Sequence, residues 1–200
     1  MKKTYSIPRS HKTWKWLIAL SSRGDKTSYG TSRCAYLLFS EVLNLKGEKV
    51  IELGTGAGWS AEAFLLALEL TGGRLWSVDI RPRKATLNKL DKMGFRNRYS
   101  FYQGDSLDFA EKWDKGKADI VFIDTSHRYR QTLKELDAYS PIVNNNGTIF
   151  LHDALSHITY KTSEKTYGVL KAVKRWLRYN KGWSFYLYYT PYGLGKLKKK

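Results

Sequence analysis

The chain has 200 residues, 42% of them hydrophobic and 14% aromatic, a composition that excludes intrinsic disorder and suits one domain with a full core. Its one cysteine, Cys34, excludes an internal disulfide and a cysteine-based zinc site. The net charge of +17 sits on two flanks, because residues 1–40 carry +7, residues 161–200 carry +10, and residues 41–160 balance to zero.

The longest apolar run near the N-terminus, Trp16–Leu20, is too short for a signal-peptide core or a membrane span, so a cytoplasmic location is expected. Residues 1–45 read as a basic helical preamble to a core over 46–200, the whole being one domain. From residue 48 onward, short apolar runs alternate with helix-period segments, the pattern of βαβ units and a parallel sheet. Strands are expected at Lys49–Leu53, Arg74–Asp79, Tyr99–Tyr102, Asp119–Asp124 and Thr148–His152. Most are continuous apolar runs such as Ile120-Val121-Phe122-Ile123, as in strands buried on both faces. Helices are expected at Ser60–Glu69, stopped by Gly72-Gly73, and at Pro82–Met93, with proline near the first turn. A third places Tyr129, Leu133, Leu136 and Tyr139 on one face and closes before Pro141. Asn144-Asn145-Asn146-Gly147 reads as a turn into the fifth strand. A later basic helix carries the stripe Val169, Leu170, Val173, Trp176 and Leu177. Trp183–Tyr189, a turn at 190–193 and a short last strand form a hairpin, expected to put an antiparallel strand at the end of the sheet. Residues 196–200 read as a lysine tail.

Glu52-Leu53-Gly54-Thr55-Gly56-Ala57-Gly58-Trp59-Ser60 lies directly between a strand and a helix. Glycines there let backbone N–H groups approach a ligand, and the helix N-terminus favours a negative group. The dinucleotide fingerprint requires a third glycine where this chain has Trp59, so that match fails. Asp79, 25 residues beyond Gly54 at a strand end, is placed to accept both hydroxyls of a ribose. Gly104-Asp105-Ser106 follows the third strand, where adenine would lie. Asp105 can accept from the exocyclic amine, and a helix N-cap by Asp105 or Ser106 explains the same letters.

Over residues 30–198 these features resemble a class I S-adenosylmethionine-dependent methyltransferase. The likeness is greatest to small O-methyltransferases of the catechol and macrocin/cephalosporin-biosynthesis types, through Glu52–Ser60, Asp79, Asp119–Tyr129, Thr148–Asp153 and Tyr192–Gly195. The resemblance implies a doubly wound Rossmann-like α/β three-layer sandwich, its seven-stranded sheet mostly parallel with an antiparallel hairpin strand. It also implies S-adenosylmethionine as cofactor, held by Gly54, Gly56, Ser60 (at the methionine carboxylate), Asp79, Ser106 and Asp124, with Glu52, Thr55, Ile80, Gly104 and Asp105 around it.

The fourth strand ends in Asp124-Thr125-Ser126-His127 and the fifth in His152-Asp153. Carboxyl ends of neighbouring parallel strands converge on a ligand crevice. Asp124 and Asp153 with waters can hold Mg²⁺, which would orient a substrate hydroxyl and lower its pKa. Relatives of this kind often use such a metal, although this chain has Ser126 and Ala154 where relatives carry acid and Asn. His127 is the candidate general base, with helix capping or stacking on substrate as its alternatives; His152 and His157 rank behind it. Ala154–Tyr167 reads as a substrate lid or a solvated connector. Trp14, Trp16 and Tyr29 either stack on a planar substrate or anchor the first helix.

The leading expectation is methyl transfer to a hydroxyl oxygen of a small molecule. The basic flanks keep a nucleic-acid methyltransferase open, restricted to ribose 2′-O transfer. The chain lacks the Asn/Asp-Pro-Pro-aromatic run of exocyclic-amine enzymes, and Cys34 lies far from where a C5 nucleophile is needed. The flanks otherwise serve as a solubilising surface. A non-catalytic binding module is a third reading.

Overall fold

Short apolar runs become the strands of one sheet in the computed structural model, which describes residues 12–27, 34–156, 167–190 and 192–200. The strands are β1 (Lys49–Leu53), β2 (Arg74–Asp79), β3 (Tyr99–Gln103), β4 (Ala118–Ile123), β5 (Val143–Leu151), β6 (Trp183–Tyr188) and β7 (Leu194–Lys199). Their spatial order is β3-β2-β1-β4-β5-β7-β6. The first five run parallel, with Ile51 opposite both Trp76 and Val121, and β7 is antiparallel to β5 and β6. The chain winds outward from β1 to β3 on one side and from β4 to β5 on the other. The gap between the carboxyl ends of β1 and β4 is therefore the switch point at which such sheets bind ligands.

The helices are α1 (Lys12–Thr27), α2 (Ala35–Leu45), α3 (Trp59–Thr71), α4 (Lys84–Lys92), α5 (Ser106–Glu111), α6 (Tyr129–Tyr139) and α7 (Val169–Leu177). Alternate side chains of a strand point to opposite faces, and the core divides accordingly. Val50, Ile120, Phe122 and Phe150 pack with α1, α2 and α3 through Leu17, Leu38 and Phe64. Ile51, Val121, Ile149 and Leu151 pack with α6 and α7 through Leu136, Tyr139, Val173 and Trp176. The result is the expected three-layer α/β sandwich. Among the described residues no helix is long and apolar enough to cross a membrane.

Several expectations are corrected. Asn144–Gly147 is not a free turn but part of β5. Pairing to β4 shifts between Ala118 and Ile120, and Asn146 takes up the extra length in a left-handed conformation (φ 60°), as in a bulge. The closing hairpin puts its antiparallel strand at that end of the sheet as expected: β7 inserts between β5 and β6, with β6 at the edge. Residues 196–199 are no solvated tail, since β7 includes them and Lys196 and Lys198 reach buried Glu41 at 2.6 and 3.5 Å. Trp14 packs against the core and Trp16 meets Phe95 edge-on at 6.2 Å, the anchoring alternative. Tyr29, His157 and most of the expected lid lie outside the described residues.

Candidate active site

Backbone at the switch point is knitted tightly. The Gly54 N–H donates to Val78 O and the Asp124 N–H to Leu53 O, both at 2.8 Å, so the ends of β2, β1 and β4 are joined. Gly54 has φ 90°, and a Cβ there would lie 2.1 Å from Asp124 O, so only glycine allows this approach. Gly56, φ 48°, faces open space, where a side chain would stand in the cavity described below. Asp79 fixes the loop: its Oδ2 accepts from the N–H groups of Thr55 and Gly56 at 3.1 Å, and its Oδ1 from Arg81 N–H at 2.8 Å. A carboxylate has about four acceptor positions, so capacity for a ligand hydroxyl remains.

Glu52 lies beneath this loop, fully buried. Ser60 and Ser77 donate to its two oxygens at 2.5 Å each. Burial pushes its carboxyl up to about 7 against those hydrogen bonds, helped by the negative charges of Asp124 and Asp79. Ser60 thus turns its hydroxyl toward Glu52. Neither residue lines the cavity, nor does Thr55, whose N–H is given to Asp79.

The cavity itself, about 420 Å³, runs across the carboxyl ends of β2, β1 and β4. Gly54, Gly56, Asp79, Ile80, Gly104, Asp105, Ser106 and Asp124 line it, eight of the eleven residues expected at a cofactor. Asp105 also caps α5, its Oδ1 accepting from Leu107 N–H at 2.7 Å. The far wall comes from α6 and was not anticipated. Glu135 accepts from Ser106 at 2.7 Å, Thr125 at 2.9 Å and Gln131 at 3.2 Å, and burial pushes its carboxyl up. The available signal was a polar pair four residues apart, Gln131 and Glu135, beside the stripe of α6. A volume of this size suits a small ligand or cofactor. With a free-sided carboxylate at Asp79 and glycine backbone at the base, the residues fit a nucleoside-bearing cofactor such as S-adenosylmethionine.

Where the cavity meets Asp124, two carboxylates and two imidazoles alternate. His127, itself at φ 57°, places Nε2 2.9 Å from Asp124 Oδ1 and Nδ1 3.4 Å from Asp153 Oδ2. His152 Nδ1 stands 3.2 Å from Asp124 Oδ1 and 3.0 Å from Asp153 Oδ1. His127 does not cap α6, whose N-cap is Arg128 without a side-chain bond. Burial opposes ionisation of Asp124, but the His152 charge and the His127 hydrogen bond outweigh it and hold the carboxyl far below the usual range. The reverse applies to both imidazoles: burial disfavours their charge, yet Asp124 and Asp153 raise His127 and lift His152 well above the ordinary value. The donor set does not fit Mg²⁺. That cation takes oxygen ligands and water in a regular octahedron, whereas the facing oxygens of Asp124 and Asp153 here have imidazole nitrogens as neighbours.

A family model described as a methyltransferase domain matches residues 51–154, from within β1 to Ala154. The O-methyltransferase ankF of Aspergillus thermomutatus is 23% identical over 112 residues, covering 55% of this chain and 47% of that protein. The chain thus spans about half the length of this curated relative. The SAH-bound methyltransferase PaMTH1 of Podospora anserina superposes with a TM-score of 0.70 over 100% of this chain and 91% of its own, at 17% identity. The O-methyltransferase TomG of Streptomyces achromogenes, solved in complex with SAM, gives 0.71 over 96% and 91%, at 14% identity. At such identities the superpositions speak for the fold, while the family match extends over more than half of the sequence. The chain belongs to this methyltransferase-domain family.

Proposed function

We propose that the protein transfers a methyl group from S-adenosylmethionine to a hydroxyl oxygen of a small molecule. The observation that carries this reading is the position of the cavity. It extends from the Asp79 carboxylate to Asp124, so one continuous space joins a ribose-accepting group to a polar cluster suited to activating a hydroxyl. S-adenosylmethionine supplies, when bound, an electrophilic methyl group whose leaving group is a neutral thioether. Asp79 holds the glycine loop and offers acceptor positions to the ribose. Gly54 and Gly56 keep the cavity floor free of side chains. Ser106 and Asp105, backed by Glu135 and Gln131, form the adenine end. Asp124 and His127 meet the acceptor, and much of the rate comes from holding acceptor and methyl group close and aligned.

Two substitutions test the reading. Asp79→Ala removes acceptor groups for the ribose and unties the loop. Charge-assisted hydrogen bonds contribute roughly 1.5–3 kcal/mol each, so S-adenosylmethionine affinity should fall by about 100-fold in calorimetric titration. His127→Ala should leave that affinity within about threefold and lower turnover of a hydroxylated acceptor by roughly 100-fold or more. Unchanged turnover would remove His127 from the chemistry, and unchanged affinity in the first variant would remove Asp79 from the groups that hold the cofactor.

A further inference from the structure

We infer that the outer face of α6 and α7 is a docking surface for an anionic lipid bilayer. The surface lies outside the cavity and does not depend on the reaction proposed above.

The two helices segregate charge along their length. On α7, Lys171, Lys174, Arg175 and Arg178 recur at the spacing of one helical face and are exposed, while Val169, Ala172, Val173 and Trp176 are buried beneath them. Lys181, just beyond the helix, is exposed as well. On α6, Arg130 and Lys134 stand one turn apart on the exposed side, with Arg128 at the helix start. The helices pack together through Leu136, Tyr139, Val173 and Trp176, and Asp137 accepts from Trp176 Nε1 at 2.9 Å. Asp137 is the only exposed acid on either helix, so eight cations share this surface with one carboxylate.

The chemistry of the face selects its occupant. A protein partner needs an apolar patch at the centre of its contact. Of the large apolar or aromatic side chains exposed among the described residues, only Tyr179 belongs here. Single-stranded nucleic acid needs open aromatic rings for its bases to stack on. Here the Arg175 guanidinium stands 5.0 Å over the Tyr179 ring and Lys171 Nζ 6.0 Å over Tyr129. A nucleic-acid acceptor would also carry phosphates to a cavity lined by Asp79, Asp105 and Asp124. A bilayer requires neither an apolar centre nor a groove. A broad array of cations gains from each anionic headgroup it meets, and a tyrosine at its border settles at the headgroup level.

The face and the cavity share α6. Gln131 and Glu135 line the cavity, and Arg130 and Lys134, each one residue earlier, are exposed. Both helices also start beside the polar cluster, since Arg128 follows His127 and the Gly168 N–H donates to His127 O at 2.9 Å. A bilayer on this face therefore lies next to the cavity, and its headgroups need not pass the carboxylates.

The test sediments the full chain with vesicles of phosphatidylcholine alone, and of phosphatidylserine and phosphatidylcholine in roughly a one-to-three ratio. Salt is held at about 0.1 M, where the Debye length is about 10 Å. Binding to the mixed vesicles and not to phosphatidylcholine is expected. Each Lys or Arg at an anionic surface contributes about fivefold, so Arg130→Gln, Lys174→Gln and Arg178→Gln together should weaken binding by roughly 100-fold. A comparison variant with Lys84→Gln, Lys92→Gln and Arg96→Gln removes the same charge from exposed positions on and just after α4. It should bind within about threefold of wild type, and circular dichroism shows that both variants fold. Equal losses in the two variants would overturn the inference, because the attraction would then belong to the net charge of the chain and not to this face. Failure to sediment with the mixed vesicles would overturn it as well, as would binding to phosphatidylcholine that the α6 and α7 substitutions leave unchanged. An RNA oligonucleotide that displaces the chain from mixed vesicles, and stays bound at salt that releases it from them, would make the face a nucleic-acid site instead.

Discussion

Glu52 shows how one buried carboxyl ties the glycine loop to pH. Its folded-state pKa of about 7 lies above the ordinary 4.5. Its contribution to stability is therefore fully present below about pH 4.5 and is lost as pH rises through about 7. The shift corresponds to something on the order of 3 kcal/mol. Glu52→Gln cannot titrate, so the stability difference between wild type and variant should change by that amount across the window, in favour of the variant at high pH. Urea unfolding at several pH values measures it, and a difference independent of pH would show that Glu52 does not carry the shift. Legibility in the sequence divides at this scale by range. Gly54, Gly56 and Asp79 were legible because their spacing follows one local strand–helix–strand unit, β1 to the end of β2. The hydroxyl of Ser60 was not, because its choice of Glu52 over a ligand depends on an acid eight residues back being buried beside it. His152 ranked low because a residue at a strand end takes its direction from the register with β4, in which Ile123 faces Leu151.

At the scale of elements, the lysine-rich β7 is held by a single acid on α2. Glu41 is 5% exposed and accepts from Thr148 and Lys196, both at 2.6 Å. Burial disfavours its charge, but the Lys196 and Thr148 hydrogen bonds and the charges of Lys196 and Lys198 prevail and lower its pKa. Its contribution is present above about pH 4.5 and fades as the solution is acidified below that. Removing one partner of a buried pair strands the other, at a cost of roughly 3–5 kcal/mol. Glu41→Ala should lose about that much at pH 7 in a urea titration. Glu41→Met with Lys196→Met should recover most of it, since replacing both partners with apolar side chains is often neutral. A single variant as stable as wild type would mean that β7 is held by its ladders alone. The alternation of Lys196 and Lys198 about Leu197 was visible, but the acid that makes it a buried strand lies 155 residues away. The apolar runs of β1, β2 and β4 needed no such partner, and their bounds came within a residue of the observed ones.

Across the whole molecule, charge and chemistry are separated. Arg128, Arg130 and Lys134 on α6 and Lys171, Lys174, Arg175 and Arg178 at α7 are exposed, so the two adjacent helices carry a basic outer face, while the cavity is lined by carboxylates and glycine backbone. Such a face attracts polyanions through counterion release. For a small-molecule enzyme the expected outcome in a gel-shift series is RNA binding that disappears by roughly 150–200 mM salt and does not respond to S-adenosylmethionine. A cofactor-dependent complex that survives that salt would favour ribose 2′-O transfer instead. The proposed function places the cofactor at the switch point between β1 and β4, and everything proposed for the acceptor depends on that occupancy. Calorimetric titration of the full chain with S-adenosylmethionine, with NAD as control and Mg²⁺ absent and then present, tests it directly. Saturable binding at one site, independent of Mg²⁺ and absent with NAD, is the expected result. Failure to bind S-adenosylmethionine under either condition, or comparable binding of NAD, would contradict it.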